Sequence, residues 1–197
     1  MSYKACRIIA AAALSLFAAA CNAVTVPDTV SALRPATPQP EAATLRSGLA
    51  VEYLHVIANS VDDVEIAGRG RRGKPLPMLN YDSADGPALT STIPELLGAR
   101  ITGYIRFAEP GTYRLKARSN DGVRASISGV VVINDPHVHT SRFSNVVSLV
   151  IDEPGWYPFY MLYFQKRYTA TLELHWQTPG AAQFELVPPE AYAHTVS

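Results

Sequence analysis

The stretch KARSNDGVRASISGVVVIND, residues 116–135, predicts the fold of this chain. Hydrophobic and polar residues alternate on both sides of its centre, which is the pattern of β-strands that are buried on one face. Asn120 and Asp121 lie between the two alternating runs and form a polar turn with the glycine that follows them. Gly129 then marks a hairpin bend before a third, apolar strand. The open question is whether Asn120 and Asp121 bind a ligand or only form the turn.

The same alternation continues outward from this stretch in both directions. Residues 101–107 precede the turn as an alternating run, and residues 145–152 and 169–176 follow it in the same pattern. The run WYPFYMLYFQ, residues 156–165, is apolar on both faces, which predicts a strand in the centre of a sandwich or barrel.

No helical period of helix length appears in the chain beyond its first residues. Many short strands separated by turns are typical of an antiparallel β-sandwich or β-barrel. The sequence therefore predicts an all-β domain over residues 48–189, followed by a C-terminal tail over residues 190–197.

The N-terminus has the organisation of a secretory signal. Lys4 and Arg7 form a short basic region, and residues 8–20, IIAAAALSLFAAA, form an uncharged apolar run. This run is too short to span a bilayer comfortably and has the length of the apolar core of a signal peptide. Residues 1–20 are therefore predicted to form a signal helix that is removed on export.

Cys21 follows this run directly, and the segment before it resembles the lipobox of bacterial lipoproteins, where cleavage occurs before a lipid-modified cysteine. An ordinary Ala-x-Ala cleavage site with a cysteine nearby is the alternative. Cys6 lies in the part that cleavage removes, so Cys21 is the only cysteine of the mature chain and no intramolecular disulfide can form. Acylation, with palmitate among the expected chains, accounts for this single thiol and predicts an envelope lipoprotein held at a membrane.

Two further segments are predicted to lie outside the strands. Residues 21–47 carry the lipidated cysteine and a Pro-, Ala- and Thr-rich stretch, which predicts a disordered linker between membrane and domain. Residues 68–87 are rich in Gly, Pro and charge and predict a long loop. Its basic cluster is either a solvated surface or a docking patch for an anionic partner; the cluster comprises Arg69, Arg71, Arg72 and Lys74.

The order of these segments resembles the protective-antigen-type domain, a lectin-like β-sandwich named for anthrax toxin protective antigen. Such domains also occur in yeast flocculins, some glycosidases and bacterial adhesins. The similarity is carried by GLAVEYL at the start, by ARITGYIRFAEPGTYRLKARSNDGVRASISGVVVIND in the middle, and by GWYPFYMLYFQKRYTATLELHWQTPG near the end. It covers roughly Gly48 to Pro189 and implies the same sandwich.

The resemblance also implies a site. In sugar-binding members the turn carries two consecutive aspartates that hold calcium, and the ion in turn takes sugar hydroxyls. Here the pair is Asn120 and Asp121, so one carboxylate is replaced by an amide. Calcium prefers six to eight oxygen ligands and depends on carboxylates. Two interpretations of Asn120 and Asp121 therefore remain. They form either a tentative calcium site or an Asn-Asp-Gly turn that binds no ligand.

Other residues are candidates for contacts with a glycan. The loop 134–145 offers oxygen atoms at Asn134, Asp135 and Asn145. Trp156 lies in a turn and is available to stack on a sugar ring, whereas Trp176 continues an apolar face and is predicted to be core. His137 and His139 share a face in extended chain, but two ligands alone do not form a transition-metal site.

Charge and motifs exclude several functions. The chain has 17 basic and 17 acidic residues, so its formal net charge of zero offers no electrostatic basis for binding nucleic acid. No nucleophile motif or metal-ligand cluster is present, so an enzyme is not predicted. The predicted function is a lipid-anchored carbohydrate-binding or adhesion module of the bacterial envelope, on its periplasmic face or at the cell surface. The alternative is a structural or adaptor lipoprotein that binds an envelope protein.

Overall fold

The computed structural model describes residues 24–84 and 87–196. The predicted signal peptide and Cys21 lie outside the described residues. No helix in the described part of the chain is long and apolar enough to cross a membrane. One α-helix, α1 (Val61–Ile66), and two short 3-10 helices (Ala42–Thr44 and Pro189–Ala191) accompany the strands. The strands, in chain order, are β1 (Thr29–Val30), β2 (Leu45–Ser47), β3 (Ala50–His55), β4 (Arg71–Arg72), β5 (Asn80–Ser83), β6 (Leu97–Phe107), β7 (Gly111–Asn120), β8 (Val123–Ile127), β9 (Val130–Asp135), β10 (Arg142–Phe143), β11 (Val147–Ile151), β12 (Gly155–Gln165), β13 (Ala170–Gln177), β14 (Glu185–Leu186) and β15 (Tyr192–Thr195).

The described strands form two sheets, which confirms the predicted β-sandwich. The first sheet has the order β1-β11-β7-β13-β14, with β10 beside β7 and β5 beside β13. The second has the order β2-β15-β6-β12-β8-β9, with β3 beside β6 and β4 beside β3. All of these pairs are antiparallel except β1 with β11, which run parallel.

The alternation in the sequence places one face of each strand in the core between the sheets. Ile105 and Phe107 of β6 are fully buried there, as are Leu115 of β7 and Leu174 of β13. Trp176 is 6% exposed and packs beside Phe107, as predicted for a core residue. Burial of each such side chain stabilises the folded state by about 2 kcal/mol relative to leaving it exposed. A shift of one residue in strand pairing would expose the whole apolar face, so the alternating pattern favours the observed register.

The helix α1 covers the outer face of β12. Leu162 and Phe164 point away from the main core, and they pack in a second apolar cluster with Val61 and Val64 of the helix. This explains why β12 is apolar on both faces. The helix begins with a capping box at Ser60 and Asp63, a signature that strand periodicity does not reveal.

The structure corrects the predictions for two terminal segments. Part of the predicted disordered linker lies on the sandwich, because β1 pairs with β11 and Leu33 is 1% exposed. Likewise, the predicted C-terminal tail contains β15, which pairs with both β2 and β6. Both segments contribute apolar residues and backbone hydrogen bonds that composition alone does not indicate.

Several strands begin or end together, and the connections between them form one end of the sandwich. In the sheet register, His55, Leu97 and Gln165 are neighbours, so β3 and β12 end where β6 begins. Asn120 at the end of β7 pairs with Thr171 near the start of β13. This end of the sandwich is called the loop end below; it comprises residues 56–60, 90–96, 120–122, 136–141 and 166–169.

Candidate functional site

Asp121 fastens two neighbouring loops to the turn between β7 and β8. The residue is 5% exposed, and the peptide bond before it is cis. Its Oδ2 accepts a hydrogen bond from the backbone N–H of Lys166 at 2.8 Å, and its Oδ1 accepts one from the N–H of His139 at 3.3 Å. Its own N–H donates to the carbonyl of Phe164 at 3.0 Å. The carboxylate therefore holds together three segments of the loop end.

Asn120 is bonded to the same surroundings. Its Nδ2 donates to the hydroxyl of Thr169 at 2.7 Å, and its backbone carbonyl accepts from the hydroxyl of Tyr163 at 2.6 Å. Burial raises the pKa of Tyr163 well above 10, and the nearby Asp121 charge adds to this effect. Tyr163 consequently remains a protonated donor at physiological pH.

The side chains of Asn134 and Asp135 are held by arginines. Arg124 donates from Nε to Asn134 Oδ1 at 2.8 Å, and Asn134 Nδ2 donates to the carbonyl of Val24 at 2.7 Å. Asp135 accepts two hydrogen bonds from Arg142, at 2.9 and 2.5 Å, and this bidentate pair raises the pKa of Arg142. These predicted ligand oxygens therefore already have cationic partners.

Asp135 also faces the imidazole of His139. The ring is 5% exposed, with Nε2 3.2 Å from Asp135 Oδ2 but not aligned with it for a hydrogen bond. Its Nδ1 lies 2.8 Å from the carbonyl of Thr140. The Asp135 carboxylate therefore contacts both the His139 imidazole and the Arg142 guanidinium.

The structure places the two remaining predicted contact residues away from the turn. Asn145 is exposed beside the middle of β7, because Ser144 donates from its N–H to the carbonyl of Ala117. Trp156 lies at the start of β12 near Arg106, whose guanidinium is 5.9 Å from its ring. Eight residues of extended strand separate Trp156 from Phe164, a distance of roughly 26 Å. Trp156 therefore belongs to the opposite end of the sandwich.

The carboxylates near the turn have partners within the protein. Within residues 24–84 and 87–196 there is no group of three or more His, Cys, Asp or Glu side chains placed to hold a metal. The buried Asp121 carboxylate accepts backbone N–H groups, and Asp135 is paired with Arg142. Calcium takes six to eight oxygen ligands, with carboxylates prominent among them. The two carboxylates near the turn are therefore engaged by the protein's own donors, and a calcium site at Asp121 and Asn120 stays a prediction.

Tyr168 is a residue of the loop end that periodicity did not single out. It is 71% exposed and adopts a positive φ of 65°, which non-glycine residues seldom do. It directly precedes Thr169, the hydrogen-bond partner of Asn120. The signal in the sequence is an aromatic residue in a charged connection between two strands, QKRYTA, where no core position is available.

Two aliphatic side chains add to the exposed apolar surface of the loop end. Ile57 is 72% exposed and Val138 is 47% exposed. An antiparallel bridge between Ser60 and His137 joins the two loops that carry them. An ordered set of loops with exposed aromatic and apolar side chains is typical of a binding surface.

A β-sandwich whose connections gather at one end is the architecture of a binding domain that presents loops. A family model, described as the PA14 domain, matches residues 45–188. The chain therefore belongs to the PA14 domain family. No curated protein sequence matches it.

Solved structures with the same fold are known from several proteins of low sequence identity. The PA14 domain of the antifreeze protein MpAFP has a TM-score of 0.66 at 17% identity, and the match covers 81% of this chain and 95% of that one. A PA14 sugar-binding domain from an RTX adhesin has a TM-score of 0.56 at 20% identity, covering 75% and 98%. The epithelial adhesin 9 A domain from Candida glabrata, in complex with Galb1-3GlcNAc, has a TM-score of 0.61 at 9% identity, covering 80% and 93%.

Proposed function

We propose that this chain is a carbohydrate-binding module without catalytic activity, held at the bacterial cell envelope through lipidated Cys21. Membership of the PA14 family supports carbohydrate binding, because one structural relative is described as a sugar-binding domain and another is in complex with a disaccharide. The signal-like N-terminus supports the anchor. Binding serves adhesion to a surface that displays the glycan.

The exposed ring of Tyr168 is the observation that carries this proposal. Sugar rings present an apolar C–H face that stacks on aromatic side chains, while amide and hydroxyl groups bond to the sugar hydroxyls. Tyr168 offers the ring, and polar groups are offered by Thr169, the next residue, and by Asn120, which donates a hydrogen bond to the Thr169 hydroxyl. The left-handed backbone conformation of Tyr168 costs free energy that glycine at this position would not cost. A tyrosine is therefore better explained by binding than by the loop's structure.

Asp121 acts in this proposal by positioning the loops. Its hydrogen bonds to Lys166 and His139 hold the loop of Tyr168 beside the 136–141 loop. No calcium ion is assigned to Asp121 or Asn120 in this proposal, since the one further carboxylate considered there, Asp135, is already paired with Arg142. Sugar recognition is therefore proposed to be independent of calcium.

The adaptor function is the second candidate, and a specific observation favours it. Asn134 and Asp135 are occupied by internal partners, whereas Ile57 and Val138 expose apolar surface at the same end. Such a surface suits a protein partner as well as a sugar. The two functions differ in whether isolated glycans bind.

The test is a glycan-array screen of the full-length chain carrying Cys21→Ser, with and without chelator. Tyr168→Gly is expected to weaken binding to any glycan hit by about tenfold or more, the equivalent of about 1.4 kcal/mol. It is not expected to lower stability, because glycine adopts positive φ without steric cost.

Phe143→Ala is the matched control, since Phe143 is an aromatic residue that is 46% exposed on β10, where its ring contacts Lys116 of β7. It should leave glycan binding unchanged. Equal losses in the two variants, or the absence of any glycan hit, would favour the adaptor function.

A further inference from the structure

A cationic cleft lies beside the loop end, between the 67–74 loop and residues 90–93. Its volume is about 700 Å³, and the end of β3 forms its floor. The described residues that line it include no Asp or Glu. Its four basic side chains are the cluster noted in the sequence: Arg69, Arg71, Arg72 and Lys74.

The loop that carries these cations is fixed to the sheet. Gly70 donates from its N–H to Glu52 Oε1 at 2.7 Å, and Gly73 donates to the carbonyl of Val51 at 2.9 Å. A Cβ on Gly70 would lie 2.4 Å from the carbonyl oxygen of Tyr53, so the loop approaches β3 as closely as glycine allows. The basic side chains are therefore displayed from an ordered backbone.

The facing wall is polar and is attached to the same loop. Tyr53 and Thr90 share a hydrogen bond between their hydroxyls at 2.8 Å, and the Thr90 hydroxyl also contacts the carbonyl of Lys74 at 2.7 Å. Ser91 and Thr92 add further hydroxyls to this wall. Cations on one side and hydroxyls on the other suit an anionic group on a polar ligand.

One nearby carboxylate offsets only part of the positive charge of the cleft. Glu52 pairs with Arg100 at 3.1 Å and accepts the Gly70 N–H, and it also interacts electrostatically with Arg69, so its single charge is shared between Arg100 and the basic loop. The chain as a whole has zero formal charge, so the positive cluster is a local feature. The electrostatic attraction of these four basic side chains is screened by salt beyond about 10 Å. It therefore acts on an anionic group that is already close to the cleft.

We propose that this cleft binds the carboxylate or sulfate groups of an acidic glycan. A cleft of about 700 Å³ admits sugar rings. A flat membrane surface or a nucleic acid duplex would contact only the rim of the cleft. The cleft is lined by residues 56 and 90–93 of the loop end but not by Asn120, Tyr168 or Thr169, so this proposal is independent of the function proposed for those three residues. Three backbone-donated hydrogen bonds connect the two sites, through Val56, Leu96 and Lys166 to Asp121.

The test measures binding of the full-length Cys21→Ser chain to oligosaccharides of galacturonate, of hyaluronan and of heparin by calorimetry at low and high salt. At least one acidic oligosaccharide is expected to bind, and high salt should weaken it because screening acts on exposed charges. The variant R69A/R71A/K74A should weaken this binding by about tenfold.

The control variant R106A/R114A/K116A removes the same number of positive charges from elsewhere on the sandwich and should retain the affinity. The R69A/R71A/K74A variant should keep the wild-type melting temperature, because its substituted side chains are exposed. The control variant is measured at a temperature at which it is folded, because Arg106, Arg114 and Lys116 also contact aromatic rings. Binding of none of the three oligosaccharides, or equal losses in the two variants, would overturn the proposal. Preferential binding to phosphatidylglycerol vesicles over every oligosaccharide would also overturn it.

Discussion

Asp121 is a buried carboxylate that accepts backbone hydrogen bonds from two loops other than its own. Hydrogen bonds to charged acceptors are stronger than those between neutral groups, and a buried donor without its acceptor is costly. A single side chain therefore sets the relative position of the loops that present Tyr168 and Val138.

Asp121→Ala is expected to lower the free energy of unfolding by roughly 2 kcal/mol, because it leaves two half-buried N–H donors without their acceptor. Urea denaturation followed by tryptophan fluorescence measures this change. Asp152→Ala, an exposed aspartate in the turn between β11 and β12, should change stability by less than about 0.5 kcal/mol. Similar values for the two variants would contradict the role assigned to Asp121.

Among the secondary-structure elements, α1 and the loop after it depend on one arginine. Arg100 of β6 donates to the carbonyls of Val64 at 2.8 Å and Glu65 at 3.2 Å, and also to that of Ala67. It thereby satisfies carbonyl groups at the end of the helix that have no intrahelical partner. Its pairing with Glu52 joins the same arginine to the loop of the cationic cleft.

The pairing of Glu52 with Arg100 predicts that the stability of the protein depends on pH. Burial raises the pKa of Glu52, but the Gly70 N–H and Arg100 outweigh this and hold the pKa below its ordinary value of 4.5. A carboxyl with a lowered folded-state pKa stabilises the protein above its unfolded pKa, and this contribution is lost as the pH falls through the lowered value. Glu52→Gln should therefore destabilise the protein at neutral pH, and the difference from wild type should shrink as the pH falls below 4.5 toward the lowered pKa of Glu52.

Thermal unfolding across this pH range measures the difference between the two proteins. Glu190→Gln changes an exposed glutamate and should show no such pH dependence. A constant difference between Glu52→Gln and wild type at all pH values would mean that Glu52 acts through packing rather than through its charge.

At the scale of the whole molecule, the two sheets bring separate segments to one end, where Asp121 accepts backbone hydrogen bonds from two other loops. Adding calcium or chelator is therefore expected to change the melting temperature by less than about 1 °C, because only a ligand bound to the native state stabilises it. Differential scanning calorimetry with magnesium as the matched salt control measures this. A calcium-specific rise of about 3 °C or more would restore the calcium site at Asp121 and Asn120.

The proposed membrane anchor also concerns the whole chain. Cys21→Ser should move the protein from the membrane fraction to the soluble fraction of the expressing cells, since the acyl chains that hold it would be absent. Cys6→Ser is the matched control, because it changes the other cysteine and leaves the proposed lipidation site intact. Continued membrane association of the Cys21→Ser protein would contradict the lipid anchor.

The sequence determined the long strands and the class of fold, because burial on one face imposes a period of two that can be read locally. It did not reveal α1, which covers the second face of β12, or the strands β1 and β15, whose partners are distant in the chain. The predicted 68–87 loop also contains β4 and β5, which pair with β3 and β13. Their place depends on contacts that no local pattern encodes.

The stretch 116–135 illustrates the same division at the turn. Its alternation predicted β7, β8 and β9, and Asn120 and Asp121 were identified there as ligand candidates. The hydrogen-bond partners of Asp121 lie 18 and 45 positions away, so only the tertiary structure shows that its carboxylate fastens loops. The tertiary structure also placed Tyr168 beside this turn and Trp156 at the opposite end, because strand register, rather than sequence proximity, decides which loops meet.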